Sequence, residues 1–287
     1  MGHMALEVTR HEADAHQSEV VQRPPHPRLA PYMGCYTGYS ERMRGRLSRV
    51  EVPFGGLPMI LSLGAEAYVS EPGGRGGGRV ESFIAGLQDG WVRTEFEREY
   101  ACVQVNLTPL GAFMLLGRPM HELANRTLAL SDVLGADGKR IGERLLDTPS
   151  WERRFEILDE FVLARFGRTV QPSPTIARAW QRLRQSAGTV PIAALAADAG
   201  CSPRHLIAQF RAQIGLPPKT VARVLRFDRA KALLQSGRGA LDVALDCGYY
   251  DQAHLIRDFR ALCGATPGQL ERHLAAQLIE TPSRGVP

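Results

Sequence analysis

The chain has 287 residues, of which 35 are basic and 30 acidic, and its formal net charge is +5. Hydrophobic residues make up 44% and charged residues 23% of the chain, values that exclude a disordered chain, a collagen and a coiled-coil rod. No apolar run approaches the roughly 18 residues that a membrane span needs. The length predicts about two domains. Acidic residues and histidines stand where a signal peptide would have basic and then apolar residues, so we expect a cytoplasmic protein.

The N-terminal 23 residues are polar and show no hydrophobic period. We therefore predict a disordered tail over residues 1–23, beginning with Met1 to Met4, which look like a cloning remnant. Residues 24–167 form the predicted first domain, and its first part is typical of short strands separated by glycine-rich turns. The strand-like segments are 47–52, 58–63, 80–85, 91–96 and 100–107. This pattern predicts a small barrel or sandwich.

A glycine-rich run, PGGRGGG, occupies residues 72–78. Such a run can cradle a phosphate, but here it lacks the Lys-Ser/Thr and the helix start of a P-loop. We interpret it as the loop of a hairpin.

Residues 109–167 change to a helical pattern with one wide apolar stripe. The stripe is formed by Trp151, Phe155, Leu158, Val162 and Phe166. It would pack either on its own domain or against a second copy of the chain, and the pattern favours neither. Residues 168–174 contain two prolines and predict a linker, and helical patterns fill the second domain, 175–280.

The second domain is basic. Residues 175–274 contain 14 Arg and Lys against 7 Asp and Glu, a net charge of +7, whereas the rest of the chain contains 21 against 23, a net charge of −2. A basic module beside a slightly acidic one is typical of a domain that binds a polyanion. An ordinary solvated surface is the alternative when charge alone is considered.

The second domain also contains an internal repeat. The segment HLIAQFRAQIG at 205–215 recurs as HLIRDFRALCG at 254–264, with seven of eleven residues identical. Each copy follows a short alanine-rich helical segment that ends at a glycine, Gly200 or Gly248. Helix, glycine turn and second helix make up the helix-turn-helix motif. The sequence therefore predicts two such units, joined by an uninterrupted helix over 219–235.

Individual residues fit this geometry. Ser202 and Asp251 are good N-caps for the second helix of each unit, and the two glycines can adopt the positive φ that ends the first helix. One face of each second helix is apolar and is expected in the core: Leu206, Phe210, Ile214, Leu255, Phe259 and Cys263.

With these motifs, the C-terminal 100 or so residues closely resemble the AraC/XylS family of transcription regulators. Three stretches carry the resemblance: LAADAGCSPRHLIAQFRAQIG, RFDRAKALL and ALDVALDCGYYDQAHLIRDFRALCGATPGQLER. The resemblance implies a sequence-specific regulator that binds double-stranded DNA and contacts RNA polymerase, with a homodimer as the usual state.

The resemblance also implies that the second helix of each unit reads DNA. The residues it places toward DNA are Ser202, Arg204, His205, Ile207, Ala208 and Arg211 in the first unit and Gln252, Ala253, His254 and Arg257 in the second. Gln252 suits adenine, and Arg204 or Arg257 suits guanine, because each pair can form two parallel hydrogen bonds. Arg211, Arg260 and Lys219 suit phosphate contacts, which position the protein without specifying sequence.

Two features of these helices depart from that simple assignment. Ile207 and Ala208 are apolar where family members often have longer polar side chains, so the first unit would rely on Arg204, thymine methyl contacts and DNA shape. His205 and His254 fit a position inside the domain as well as they fit a DNA contact.

The order of strands and helices in residues 24–167 resembles the cupin-like sensor domain of many family members. The expected fold class is thus α+β, with a small N-terminal β-barrel (cupin-like) and its helical extension, followed by an all-α domain with two helix-turn-helix motifs. The resemblance implies a small-molecule effector of unknown identity. Aromatic candidates for its pocket are Tyr36, Phe54, Phe83, Trp91 and Tyr100, each of which could instead be ordinary core. Because no HxH motif with a downstream Glu and His is present, we expect no metal and no cofactor.

Three functions remain. The first is an effector-responsive regulator, the second a ligand-independent regulator whose barrel only dimerises or contacts polymerase, and the third an enzyme fused to a DNA-binding domain. The third needs an activated cysteine, and neither Cys35 nor Cys102 has a basic neighbour in the sequence, so we predict no enzymatic activity. With no CxxC and no zinc-site spacing, the five cysteines are expected to be reduced structural thiols. A redox response through Cys201 and Cys247, which flank the turns, is the alternative.

Overall fold

The computed structural model describes residues 6–13, 16–71, 77–270 and 272. A strand-rich N-terminal part precedes a helical C-terminal part, which confirms the α+β class. The strands are β1 (Glu7–Ala13), β2 (His16–Arg23), β3 (Met33–Met43), β4 (Leu47–Glu51), β5 (Leu57–Ser62), β6 (Ala67–Ser70), β7 (Gly77–Val80), β8 (Phe83–Ala85), β9 (Val92–Phe96), β10 (Glu99–Leu107) and β11 (Thr127–Ala129). The α-helices are α1 (Pro109–Leu116), α2 (Leu130–Leu134), α3 (Ala136–Leu146), α4 (Trp151–Phe166), α5 (Pro174–Gln185), α6 (Ile192–Asp198), α7 (Pro203–Ile214), α8 (Pro218–Gln235), α9 (Ala240–Asp246) and α10 (Gln252–Cys263). A short 3-10 helix spans Met120–Glu122. None of the helices in the described ranges is both long enough and apolar enough to cross a membrane.

The described strands form two antiparallel sheets. Seven strands pair in the order β1-β2-β3-β10-β5-β8-β11, and four pair in the order β4-β9-β6-β7. An apolar layer lies between the sheets, with Tyr39, Phe83 and Tyr100 from the larger sheet against Val69 and Phe96 from the smaller one. The N-terminal domain is therefore a two-layer β structure, with helices α1 to α4 on the outer face of the larger sheet.

The central strand β10 explains this layering. It pairs with β3 on one side and β5 on the other. Its side chains alternate, so that Tyr100 and Cys102 belong to the layer between the sheets, whereas Val103 and Val105 belong to the large core under the helices. A strand buried on both faces is expected to be apolar at most positions, as this one is.

The predicted disordered tail is wrong for the residues that the structure describes. β1 and β2 form a hairpin, and β2 pairs with β3 along its full length, from His16 opposite Met43 to Arg23 opposite Tyr36. Val21 is fully buried, and Arg23 forms an ion pair with Asp159 of α4. The sequence showed little of this, because backbone hydrogen bonds and polar contacts with α4 do much to hold the segment, and these leave little hydrophobic pattern. Residues 1–5, with the presumed cloning remnant, lie outside the described ranges.

The apolar stripe of α4 packs on its own domain. Phe155, Leu158 and Val162 are fully buried, and the Phe155 ring stacks on Tyr36 with ring centroids 5.5 Å apart. Trp151 donates from Nε1 to Glu19 Oε2 at 3.0 Å. Of the two alternatives for this stripe, intradomain packing is the one observed for its four buried members, whereas Trp151 at the helix start is only partly buried.

Two other predicted segments are only partly described. β6 pairs with β7. The last two residues of the glycine-rich run, Gly77 and Gly78, belong to β7, whereas residues 72–76 lie outside the described ranges. The helical pattern predicted to continue to residue 280 gives a last helix that begins at Pro267 and is described to Leu270 and at Arg272. Its remainder also lies outside the description.

Candidate DNA-binding surface and internal cavity

The first helix-turn-helix unit consists of α6 and α7. Gly200 has φ +61° in the turn, a conformation that glycine adopts without strain. The Ser202 Oγ then accepts a hydrogen bond from the His205 amide at 3.3 Å and caps α7. Leu206, Phe210 and Ile214 are fully buried, as predicted. Turn, cap and core face together set which side of α7 points outward.

The second unit, α9 and α10, repeats this construction. Gly248 has φ +73°, and the Asp251 Oδ1 accepts from the His254 amide at 2.6 Å. Leu255, Phe259 and Cys263 are buried, again as predicted. The sequence repeat is therefore a structural repeat, with the same cap position and the same buried face.

The outward faces hold most of the residues that the family resemblance assigned to DNA. Exposed positions are Ser202, Arg204, His205, Ile207, Ala208 and Arg211 on the first unit and Gln252, Ala253 and Arg257 on the second. Within the described ranges, no carboxylate lies at ion-pair distance from Arg204, Arg211 or Arg257, so these three guanidinium groups keep their hydrogen-bond donors available.

The two histidines differ. His205 is exposed. His254 is half-buried, its Nδ1 accepts from the Tyr250 amide at 3.4 Å, and its ring meets that of Tyr249 edge-on with centroids 5.2 Å apart. Tyr250 itself lies in the turn before α10 and is 89% exposed. Sequence reasoning overlooked Tyr250, although a second aromatic after the turn glycine was visible in Gly248-Tyr249-Tyr250.

Helix α8 fixes the second unit in place. Its 18 residues span about 27 Å at 1.5 Å per residue. Phe227 of α8 meets Phe259 of α10 with ring centroids 4.7 Å apart, and Arg223 Nε donates to Asp258 Oδ1 at 2.8 Å. Asp258 is buried on the inner side of α10. One aromatic pair and one ion pair therefore orient the outward face that carries Gln252 and Arg257.

A cavity of about 100 Å³ lies between the two sheets of the N-terminal domain. Its wall is mainly apolar and aromatic. Of the five aromatic residues proposed from the sequence, Phe54, Phe83 and Tyr100 line it. Tyr36 does not, because it is buried under α4 with its hydroxyl donating to Asp159 Oδ1 at 2.9 Å. Trp91 is also outside the wall, next to its lining neighbour Val92.

The wall contains an ion pair that sequence reasoning missed. Glu41 of β3 and Arg49 of β4 belong to different sheets, and Arg49 Nη2 donates to Glu41 Oε1 at 2.7 Å. The Glu41 side chain is 1% exposed. A signal was present in the sequence, since Glu41 shares its strand face with Tyr39, two residues earlier, and a charge on a buried face is unusual.

The cavity wall is in contact with the C-terminal domain through two segments. The first is 51–56: Phe54 and Gly56 line the cavity, Val52 lines it and joins the apolar cluster of the second unit, and a Cβ at Gly55 would lie 2.6 Å from Leu225 of α8. The second is 91–92. There Val92 lines the cavity, and a Cβ at Gly264, just after α10, would lie 2.6 Å from Trp91 Nε1.

The first unit also packs on the N-terminal domain. Leu206 and Ile214 of α7 belong to the same buried cluster as Met120 and Leu123. A Cβ at Gly215 would lie 3.2 Å from the Met120 carbonyl oxygen. Both units are thus held against the domain that contains the cavity.

The described cysteines are all free thiols. Burial raises the pKa of Cys102 to about 12 and raises the pKa values of Cys35, Cys247 and Cys263 above their ordinary range. A raised pKa reduces the thiolate fraction that a nucleophile or redox sensor needs. Among the described residues, no three His, Cys, Asp or Glu side chains converge on a point where they could hold a metal ion.

Two family models match the chain. A family described as a helix-turn-helix domain matches residues 195–273, which include the second unit and all but the first three residues of the first. A family described as a domain of unknown function (DUF6597) matches residues 21–129, which include most strands of the two sheets. The second match assigns no activity to the N-terminal domain.

Curated relatives match a stretch of 81 residues of this chain. The HTH-type transcriptional activator RhaR of Escherichia coli (strain K12) is 37% identical over 81 residues, and RhaR of Shigella flexneri serotype 5b shows the same identity. The match covers 28% of this chain and 28% of the length of these relatives.

Solved structures give weaker matches. The C-terminal domain of AraT, a response regulator from Geobacillus stearothermophilus, is 24% identical, with a TM-score of 0.34 over 36% of this chain and 88% of that one. ToxT from Vibrio cholerae is 10% identical, with a TM-score of 0.47 over 80% of this chain and 99% of that one. Both scores lie below 0.5, and neither match supports a conclusion about function.

Proposed function

We propose that this chain, whose C-terminal domain is an AraC-type helix-turn-helix domain, is a transcription regulator that binds specific sites in double-stranded DNA. The observation that carries the proposal is the structural repeat. Two capped helices, α7 and α10, each present an exposed face with at least one arginine free of ion pairs among the described residues. One long helix, α8, connects the two units and would hold them apart along one duplex.

The proposal assigns a role to each exposed group. Gln252 pairs with adenine, and Arg204 and Arg257 pair with guanine, through two hydrogen bonds each. Arg211, Arg260 and Lys219, all exposed, contact phosphate oxygens. Ile207 and Ala208 contact thymine methyl groups. Ser202 caps α7 and so helps to fix the position of that helix on the DNA.

Footprinting on selected binding sites, with affinities measured by titration, tests this assignment. Arg204→Ala and Arg257→Ala each lose about 1–3 kcal/mol at particular base pairs, roughly 5- to 150-fold in Kd, and relax specificity there. Arg42→Ala, which removes an exposed arginine from β3, is the control and leaves Kd unchanged. Binding must also weaken steeply with salt, because phosphate contacts release counterions. Wild-type footprints in both variants would refute the assignment of these helices.

We further propose that the N-terminal cavity binds a small effector that modulates DNA binding. What supports this over a purely dimerising role is the shared wall, because segments 51–56 and 91–92 touch the cavity on one side and the second unit on the other. A ligand that shifts either segment changes the contacts that hold α8 and α10. A ligand-independent regulator needs no such cavity.

A metabolite screen by thermal shift separates these two possibilities. A ligand that binds only the native form at 100 times its Kd adds about 2.7 kcal/mol to the free energy of unfolding. Hits must then change the Kd for DNA. If no compound raises Tm, or if hits leave DNA affinity unchanged, the ligand-independent regulator is favoured. Homodimer formation, contact with RNA polymerase, a cytoplasmic location and the lack of enzymatic activity complete the proposal. The raised pKa values of Cys35 and Cys102 argue against a catalytic thiol at these two positions.

A further inference from the structure

Glu41 is an unusual residue for an apolar cavity. Its side chain is almost entirely buried, and only one of its two oxygens has a partner, since Oε1 accepts from Arg49 whereas Oε2 has no hydrogen-bond partner within the described ranges. A buried carboxylate oxygen without a partner loses its water without replacement. An acceptor is therefore left without a donor within the wall of the cavity, which Glu41 lines.

The surroundings of this oxygen limit the chemistry of the ligand. Glu41 and Tyr100 lie opposite each other in the larger sheet, and the wall near them includes the rings of Phe96 and Phe83. The Arg49 guanidinium carbon lies 5.8 Å from the centre of the Phe96 ring. Aromatic walls favour a flat, apolar ligand body, and a cavity of about 100 Å³ limits that body to one ring.

The charge of the wall limits the ligand further. Three charged side chains line the cavity, namely Glu41, Glu51 and Arg49, with a formal sum of −1. The only cation of the three already binds Glu41. An anionic ligand would meet an excess of negative charge, whereas a cation meets an available acceptor.

We propose that the effector of this cavity is a small aromatic amine, whose ammonium group donates to Glu41 Oε2 and whose ring lies among Phe83, Phe96 and Tyr100. The inference rests on the proposed function only in taking this cavity as the effector site. Glu41 is then the specificity-determining residue, and its pairing with Arg49 across the two sheets holds its carboxylate in position. A bound ammonium would complete the hydrogen bonds of a carboxylate that joins the sheets.

The test uses four single-ring probes with the full chain in the absence of DNA. Benzylamine is the cation, benzyl alcohol the neutral donor, benzoate the anion, and toluene lacks a donor. Titration calorimetry should give the lowest Kd for benzylamine, at least tenfold below that of toluene, with benzyl alcohol between them and benzoate weakest. Benzoate binding as tightly as benzylamine, equal binding of benzylamine and toluene, or no binding of any probe would overturn the proposal.

Variants locate the interaction. Glu41→Gln removes the charge while keeping the size, and should bring the benzylamine and toluene affinities within about twofold of each other. Glu66→Gln makes the same change at an exposed glutamate paired with Arg79 and should keep the tenfold preference, as a matched control. An unchanged preference in Glu41→Gln refutes the role of Glu41.

If Glu41→Gln does not fold, Ala85→Leu decides instead. It fills the cavity from the buried strand β8 and should abolish benzylamine binding, whereas retained binding would place the amine elsewhere. DNA footprints measured on the same preparations keep this outcome separate from the regulator proposal. Failure of the amine preference with intact footprints refutes the ligand class alone.

Discussion

The ion pair between Arg223 and Asp258 makes a sharp prediction about how the second unit is oriented. Asp258 sits on the inner side of α10 with 10% of its side chain exposed, and Arg223 of α8 is 35% exposed. Arg223 donates to Oδ1, while Oδ2 has no hydrogen-bond partner among the described residues. Arg223→Met would therefore leave a buried carboxylate without a described partner on either oxygen, at the joint between two helices.

The expected magnitude follows from this geometry. Removing one partner of a fully buried pair costs about 3–5 kcal/mol, and a hydrogen bond to a charged group contributes about 1.5–3 kcal/mol. Because Arg223 is one-third exposed, water screens part of the interaction. We expect Arg223→Met to lower the free energy of unfolding of the second unit by about 2 kcal/mol, a factor of roughly 30 in its folding equilibrium.

The assay combines urea titration with hydrogen exchange. Amides of α10 should lose protection in Arg223→Met before those of the β sheets, because stability differs between parts of a structure. Arg229→Met, at an exposed position of the same helix, is the control and should change stability by less than about 0.5 kcal/mol.

The double variant Arg223→Met/Asp258→Leu should recover most of the loss, since an apolar pair of similar volume avoids the cost of the buried charge. If Arg223→Met matches the control, or if the double variant is no more stable than the single one, the ion pair does not hold α10.

Three further predictions concern the caps, the buried thiol and the interdomain contact. Ser202→Ala and Asp251→Ala should each lower the free energy of unfolding by about 1 kcal/mol, because α7 and α10 lose their caps. Gln235→Ala, at the exposed end of α8, is the control and should lower it far less. Equal losses in urea titrations of all three variants would contradict the capping role. Burial raises the pKa of the Cys102 thiol from 9.0 to about 12, so the unfolded chain releases its proton first and the free energy of unfolding should fall between about pH 9 and 12, by up to about 1.4 kcal/mol per pH unit. In Cys102→Ala this fall should be smaller than in the unmodified protein. Identical pH profiles of the free energy of unfolding for the variant and the unmodified protein would show that the Cys102 thiol does not cause the fall. Trp91→Ala should weaken the effect of a cavity ligand on the Kd for DNA because it removes the contact at Gly264, whereas Trp151→Ala, under the other face of the larger sheet, should not; equal coupling in both variants would show that segment 91–92 does not transmit ligand binding.

The sequence by itself determined the C-terminal domain. Its two helix-turn-helix units are recognisable because a local repeat, a helix cap and a turn glycine lie within a few residues of one another, and each acts on nearby backbone. Ser202, Asp251, Gly200 and Gly248 have the predicted conformations or contacts, and the predicted core faces are buried. The assignment of individual side chains to DNA bases remains a prediction.

Only the tertiary structure decided the N-terminal domain. The pairing of β1 with β2 and of β2 with β3 depends on backbone hydrogen bonds, which leave little trace in the side-chain pattern. Whether α4 packs inward or on a second copy depends on what covers its stripe, and the sequence contains no information on that point.

The cavity likewise arises from tertiary contacts. Glu41 and Arg49 become one ion pair only because two separate sheets face each other, and segment 51–56 joins the cavity to α8 only because the two domains pack together. Local patterns predict elements, whereas a site built from several strands exists only once long-range contacts bring those strands together.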